Sequence, residues 1–129
     1  MFAEQHKKEL DSIAFVCREN NTKQRLYKEL ETKIPDVYVT SSVPNLVEIG
    51  NINAGKGRTL SYILKLLDIS PEAAAAFGDA DNDCSMLEAV KYGIAVGNAT
   101  ENCKKSAAFV TESNQKDGVA KAILSLLEI

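Results

Sequence analysis

The feature that most restricts this chain is a junction. Ala73 to Phe77, short, apolar and uncharged, runs straight into Gly78-Asp79-Ala80-Asp81-Asn82-Asp83. A continuous apolar run of this length reads as a strand covered on both faces, which is the habit of parallel sheets. Acids placed directly after it then lie at the carboxyl end of the strand, the rim where open α/β sheets keep their sites. The run is therefore expected to be a central strand of a parallel sheet, followed by a helix over about Asn82 to Tyr92.

The surrounding pattern agrees. After Gly55-Lys56-Gly57, the residues Leu60, Ile63, Leu64 and Leu67 recur at helical spacing until Ser70-Pro71. Gly93 to Val96 predicts another short strand, Glu101 to Ser106 a short helix and Ala108 to Val110 a last strand. An amphipathic helix closes the chain, with Val119, Ala120, Ile123, Leu124 and Leu127 on one face and Asp117 near its positive amino end. Strands alternating with helices imply a doubly wound α/β layer with right-handed crossovers.

The first fifty-odd residues read differently. Ser12 to Cys17 is expected to be a buried strand, stopped by the turn formers Asn20-Asn21. From Thr22 a helix is expected, with Leu26, Leu30 and Ile34 on one face and Pro35 as its stop. Extended pieces over Asp36 to Ser41 and Asn45 to Ile49, broken at Ser42-Val43-Pro44, complete a strand-helix-strand-strand unit.

Composition excludes several classes of partner. Of 129 residues, 45% are apolar and 26% charged, which suits a soluble globular chain with a real core. The formal net charge of -3 comes without a basic stripe, so nucleic acid is not an expected partner. Without a long apolar span or a charged-then-apolar leader, no membrane association is expected and the cytoplasm is the expected location. Cys17, Cys84 and Cys103 are far apart, with one histidine, His6, in the chain. They read as buried thiols in a reducing compartment rather than as a zinc site.

The acidic loop carries the chemistry. Carboxylates this close repel one another, and a hard cation with oxygen ligands, most simply Mg2+, relieves the repulsion. Asp79 and Asp83 are the candidate metal ligands, and Asn82 is free to donate to a phosphate oxygen. The alternative is a polar loop that caps the next helix. An EF-hand is excluded, because a loop starting at Asp79 has Cys84 in place of the required glycine and Val90 in place of the required glutamate.

Lys56 has two readings. Gly50-Asn51-Ile52-Asn53-Ala54-Gly55-Lys56-Gly57 nearly spells a nucleotide-binding P-loop, but Gly57 stands where a Ser or Thr must hold the metal. Alternatively, Lys56 is a single ammonium at a glycine-flanked helix start, able to neutralise phosphate oxygens or the acids that accompany them. An isolated lysine of this kind is otherwise a solvated surface residue.

Lys56-Gly57, Phe77-Gly78-Asp79-Ala80-Asp81-Asn82-Asp83-Cys84-Ser85-Met86-Leu87, Gly93-Ile94-Ala95-Val96-Gly97-Asn98-Ala99 and Asp117-Gly118-Val119 follow one another in a set order, with Glu48-Ile49 before them. Over residues 45 to 129 the chain resembles the Cof-type subgroup of haloacid dehalogenase (HAD)-like phosphatases. The resemblance implies a HAD-like, Rossmann-like core. It makes Lys56 the family's catalytic and phosphate-binding lysine, Asp79 and Asp83 the acids around Mg2+, and Asn82 a contact to the substrate phosphate. Asn98 and Ala99 match a loop near the same site, although Gly97-Asn98 also reads as a plain turn.

The departure from the family pattern is equally specific. Members open with a strand ending D-x-D-x-[TV], whose first aspartate attacks phosphorus, and a later strand supplies a phosphate-binding Ser or Thr. Asp79-Ala80-Asp81 is followed by Asn82-Asp83 and cannot serve as that motif. The expectation is a remnant of an α/β cap over 1–52 and the C-terminal part of the core over 53–129, inactive alone toward a small phosphorylated metabolite. Such a chain would expose apolar surface and a sheet edge, and so self-associate or pair with a chain supplying the N-terminal half. A non-catalytic interaction module is the alternative.

Overall fold

A computed structural model describes residues 5, 6, 8 and 10–127. Met1 to Glu4, which bear on the expected absence of a leader, lie outside the described residues. The chain divides into two compact units, with the boundary between Ala54 and Gly55.

In the first unit, β1 (Ser12–Val16), α1 (Asn20–Lys33), β2 (Val37–Thr40) and β3 (Leu46–Asn51) form a three-stranded antiparallel sheet in the order β1-β3-β2 with one helix. Phe15 stands opposite Val47, and Val39 opposite Ile49. Helix α1 packs on β2 and β3, burying Leu30, Val39, Val47 and Cys17 among Leu26, Tyr27, Val37 and Ile49. Strand β1 consequently lies at an edge and is exposed along its length, which corrects the expectation of a buried strand there. The helix starts at Asn20 instead of after the Asn20-Asn21 pair. It ends at Ile34, an exposed cap residue, because the following Pro35 lacks an N–H and disfavours helical backbone before it.

The second unit runs α2 (Lys56–Leu66), a 3-10 turn Pro71–Ala73, β4 (Ala75–Gly78), a 3-10 turn Asp81–Asp83, α3 (Cys84–Glu88) and β5 (Tyr92–Ala95). Helix α4 (Glu101–Ser106), β6 (Phe109–Val110), a 3-10 turn Asn114–Lys116 and α5 (Gly118–Leu126) follow. Its strands are parallel in the order β4-β5-β6, with Phe77 opposite Ile94 and Ala95 opposite Val110. Leu64, Ala76, Leu87, Val90, Ala95, Val96, Ala99 and Cys103 make the core.

Several expectations are corrected here. Among the described residues β4 is an edge strand, not a central one, since only β5 pairs with it. The helix expected over Asn82 to Tyr92 is a 3-10 turn followed by the five-residue α3. Strand β5 passes so close to α3 that a side chain at Gly93 would meet the Leu87 carbonyl oxygen at 2.2 Å, and Tyr92 already belongs to the strand. Helix α2 buries Leu64 and partly buries Leu60, whereas Ile63 and Leu67 are exposed. The apolar face of α5 is likewise exposed at Val119, Ile123, Leu124 and Leu127. Cys17 and Cys103 are buried free thiols, but Cys84 is only half-buried. No described helix is long and apolar enough to cross a membrane.

Candidate functional site

The carboxyl ends of β4 and β5 form one rim, and the residues singled out by sequence collect around it. Gly55 starts α2 with φ at 145°, a conformation that L side chains rarely adopt. Lys56 is the first helical residue. Its neighbour Gly57 lies against α3, where an added Cβ would sit 2.3 Å from the Ser85 carbonyl oxygen, and its N–H donates to Ser85 Oγ at 3.2 Å. Two helices thus touch backbone to backbone. This close approach brings the Lys56 ammonium onto Asp83, to whose Oδ1 it donates.

Asp83 is the hub of the loop. Its Oδ2 accepts the N–H of Asp79 at 2.9 Å and that of Ala80 at 3.1 Å. The side chain is 5% exposed, against 49% for Lys56. Burial alone would push the Asp83 carboxyl up, but the hydrogen bond from Lys56 and those from the Asp79 and Ala80 amides outweigh it and hold the carboxyl below its usual range. The group is a carboxylate that ties the acidic loop together and seats the lysine.

Asp79 is the opposite case. It is exposed just beyond the end of β4, and among the described residues its carboxylate takes no hydrogen bond or salt bridge from the protein. Its backbone is fixed instead: the carbonyl oxygen accepts the N–H of Thr100 at 3.0 Å, while the neighbouring Gly78 oxygen accepts that of Val96 at 3.1 Å. Among the described residues no three His, Cys, Asp or Glu side chains gather to enclose a metal. Mg2+ does not need such an enclosure, because it keeps most of its waters and takes one or two carboxylates. The free Asp79 carboxylate suits that requirement. Asn82 Oδ1 is buried without a partner, an acceptor left open beside the same loop.

The structure thus brings Lys56, Asp79, Asn82 and Asp83 together. Asn98 follows β5 on the same rim, and its Oδ1 accepts the Asn114 N–H at 2.9 Å, tying two loops to each other. Four further residues contribute to the arrangement, of which Thr100 and Asn102 were passed over in sequence reasoning. Gly57 and Ser85 set the helix contact. Thr100 and Asn102 donate to Asp81 at 2.7 and 3.4 Å. The signal for Thr100 was present, since Thr before Glu101 at a helix start is a cap, and its Oγ1 accepts the Cys103 N–H.

The P-loop reading does not survive. The strand before Lys56, β3, is antiparallel and belongs to the first unit. Asn51 closes the segment as a turn, accepting from the Asn53 and Ala54 amides instead of leaving them for phosphates.

Residues 1–123 match the family of haloacid dehalogenase-like hydrolases. The chain belongs to that family. It is 31% identical to a 5-amino-6-(5-phospho-D-ribitylamino)uracil phosphatase, YcsE of Bacillus subtilis, over 86% of this chain and 44% of the relative. Phosphatase YwpJ of the same organism is 42% identical over 71% of this chain and 32% of its own length. A solved HAD-like hydrolase from B. subtilis superposes with a TM-score of 0.79 at 36% identity, covering 85% of this chain and 38% of that one. The HAD-like chain described here therefore spans less than half the length of the relatives it matches.

Proposed function

We propose that this chain carries the lysine-and-acid half of a Cof-type phosphatase site, which acts on small phosphate monoesters through an aspartyl-phosphate. The observation that carries the reading is the pairing of Lys56 with Asp83 at the rim where the Asp79 carboxylate, among the described residues, has no protein partner. Asp79 would hold Mg2+ directly. Asp83 spends its lone pairs on three protein donors and has room for about one more, enough to steer a metal-bound water. Bound Mg2+ supplies charge neutralisation at a phosphoryl group.

The chain's own residues do the rest. Lys56 offers an ammonium to the non-bridging phosphate oxygens, held in place by Asp83. The Asn82 amide donates to the same group through its NH2. The nucleophile that the family's route requires is not in this sequence, so the chain by itself should bind without turning over. The activity belongs to the cytoplasm. The phosphoribitylamino group named for the YcsE relative belongs to the small phosphorylated metabolites expected as substrates.

Exposed apolar side chains support a further part of this reading. Tyr62 and Leu66 on α2, Leu67 just after it, Phe109 and Val110 in β6, and Leu124 and Leu127 near the end of the chain are all at least 48% exposed. That much apolar surface, with β4 and β6 as sheet edges, favours self-association or pairing with a chain that supplies the N-terminal half.

A generic phosphate ester incubated with this chain and Mg2+ is the test. No turnover is expected, and inorganic phosphate should bind only when the cation is present. Turnover that survives repurification and disappears in Asp79→Asn would overturn the proposal of an inactive half-site.

A further inference from the structure

Asp79 is the one acid of the loop that no protein donor engages among the described residues, so its placement rests on its backbone. That backbone is held from two sides. On one side Asp83 grips the Asp79 and Ala80 amides. On the other, the Asp79 carbonyl oxygen takes the Thr100 N–H, and the same Thr100 donates its hydroxyl to Asp81 Oδ1 at 2.7 Å. Asn102 Nδ2 reaches Asp81 Oδ2 at 3.4 Å. Asp79, Thr100 and Asp81 therefore close a ring of contacts between the loop after β4 and the loop after β5. Thr100 Oγ1 also accepts the Cys103 N–H at 3.2 Å, which anchors the ring to the start of α4.

We propose that Asp81 is a positioning residue, which clamps the loop through Thr100 and Asn102 so that the Asp79 carboxylate is presented to the cation in one place. The inference rests on the reading of Asp79 as the cation's ligand and deepens it. A rival role for Asp81 is purely electrostatic: a third negative charge that draws in the cation without fixing anything. The two roles differ in what an amide can replace. Asparagine keeps an oxygen for the short Thr100 contact and gives up the charge and the long Asn102 contact, whereas alanine loses all three.

The experiment follows two quantities in the full chain and in Asp81→Ala, Asp81→Asn and Thr100→Val. One is hydrogen exchange of the Thr100 amide, which reads the clamp without any metal. The other is the Mn2+ concentration that half-broadens the amide signals of residues 79–83. Asp81→Ala should speed Thr100 exchange by about tenfold, the effect of losing a hydrogen bond to a charged acceptor. It should also raise the Mn2+ midpoint several-fold. Thr100→Val, which removes the hydroxyl and keeps the amide, should raise that midpoint likewise, and Asp81→Asn should stay near the parent in both.

An Asp81→Asn midpoint as high as that of Asp81→Ala would assign the effect to charge and overturn the proposal. Unchanged exchange and midpoint in Asp81→Ala would overturn it too. If the parent chain shows no Mn2+ broadening at residues 79–83, the cation reading of Asp79 fails and the proposal falls with it. In that case altered Thr100 exchange in Asp81→Ala would still identify the clamp as a structural one.

Discussion

The Lys56 ammonium and the backbone amides of Asp79 and Ala80 divide one carboxylate between them: Oδ1 of Asp83 goes to the lysine and Oδ2 to the loop. One buried side chain thus joins the start of α2 to the acidic loop after β4.

Replacing Asp83 by asparagine should cost on the order of 3 kcal/mol, since a buried charge is lost and an NH2 donor replaces one of the two oxygens, facing either the lysine or the two amides. Denaturant unfolding measures it. The effect depends on pH with a known sign. Folding holds the Asp83 carboxyl below its ordinary value of 3.8, so its contribution is complete above that value and fades as the pH falls through the lower, folded value. The stability gap between the parent and Asp83→Asn should therefore be wide at neutral pH and should close in acid.

Gly57→Ala should destabilise by about 1–3 kcal/mol, the usual cost of overpacking a close helix contact. The added methyl would meet the Ser85 backbone at 2.3 Å, a position that no side-chain rotation relieves. Gly57→Ala should also disturb the amide signal of Asp83, because shifting α2 moves Lys56. A variant as stable as the parent would contradict the backbone contact between the two helices.

Much of this site was legible in the sequence, and the reasons are local. The Ala73–Phe77 run and the acids after it give strand and rim at once, because an uncharged strand can be buried only between layers. What the sequence hid is where the layers stop. Ile63 and Leu67 carry a helical period that would normally face a core, and so does the α5 face, yet both are exposed. Periodicity records what a helix is built to bury, not whether the covering layer is present. The same limit explains β1, whose apolar run predicts a buried strand, and β4, whose run predicts a central one: both lie at edges among the described residues. The Asp81–Thr100–Asn102 clamp was invisible for another reason: its members are about twenty residues apart and meet only when parallel strands align.

Sedimentation should show dimers or larger species, and Leu124→Glu with Leu127→Glu should shift them toward monomer. The basis is the exposed α5 face together with Phe109 and Val110 in the edge strand β6. A parent chain that sediments as a clean monomer at high concentration would count against the association part of the proposal.

Cys103 should resist thiol reagents in the folded chain at pH 8. Burial pushes its thiol up to about 11, and the neighbouring Cys84 and the acids Asp83, Asp79 and Asp81 push in the same direction. Burial raises the Cys84 thiol as well. Alkylation followed by mass spectrometry should label Cys103 only after denaturant is added, and rapid labelling of the native chain would contradict the core assigned to it.

The most direct test of the site is a Mn2+ titration of the full chain followed by amide signals, with Asp79→Asn as its control. The account predicts that residues 79–83 and Lys56 broaden first, and that Asp79→Asn abolishes the effect while leaving the fold intact. Broadening centred elsewhere, or a titration that Asp79→Asn leaves unchanged, would contradict it.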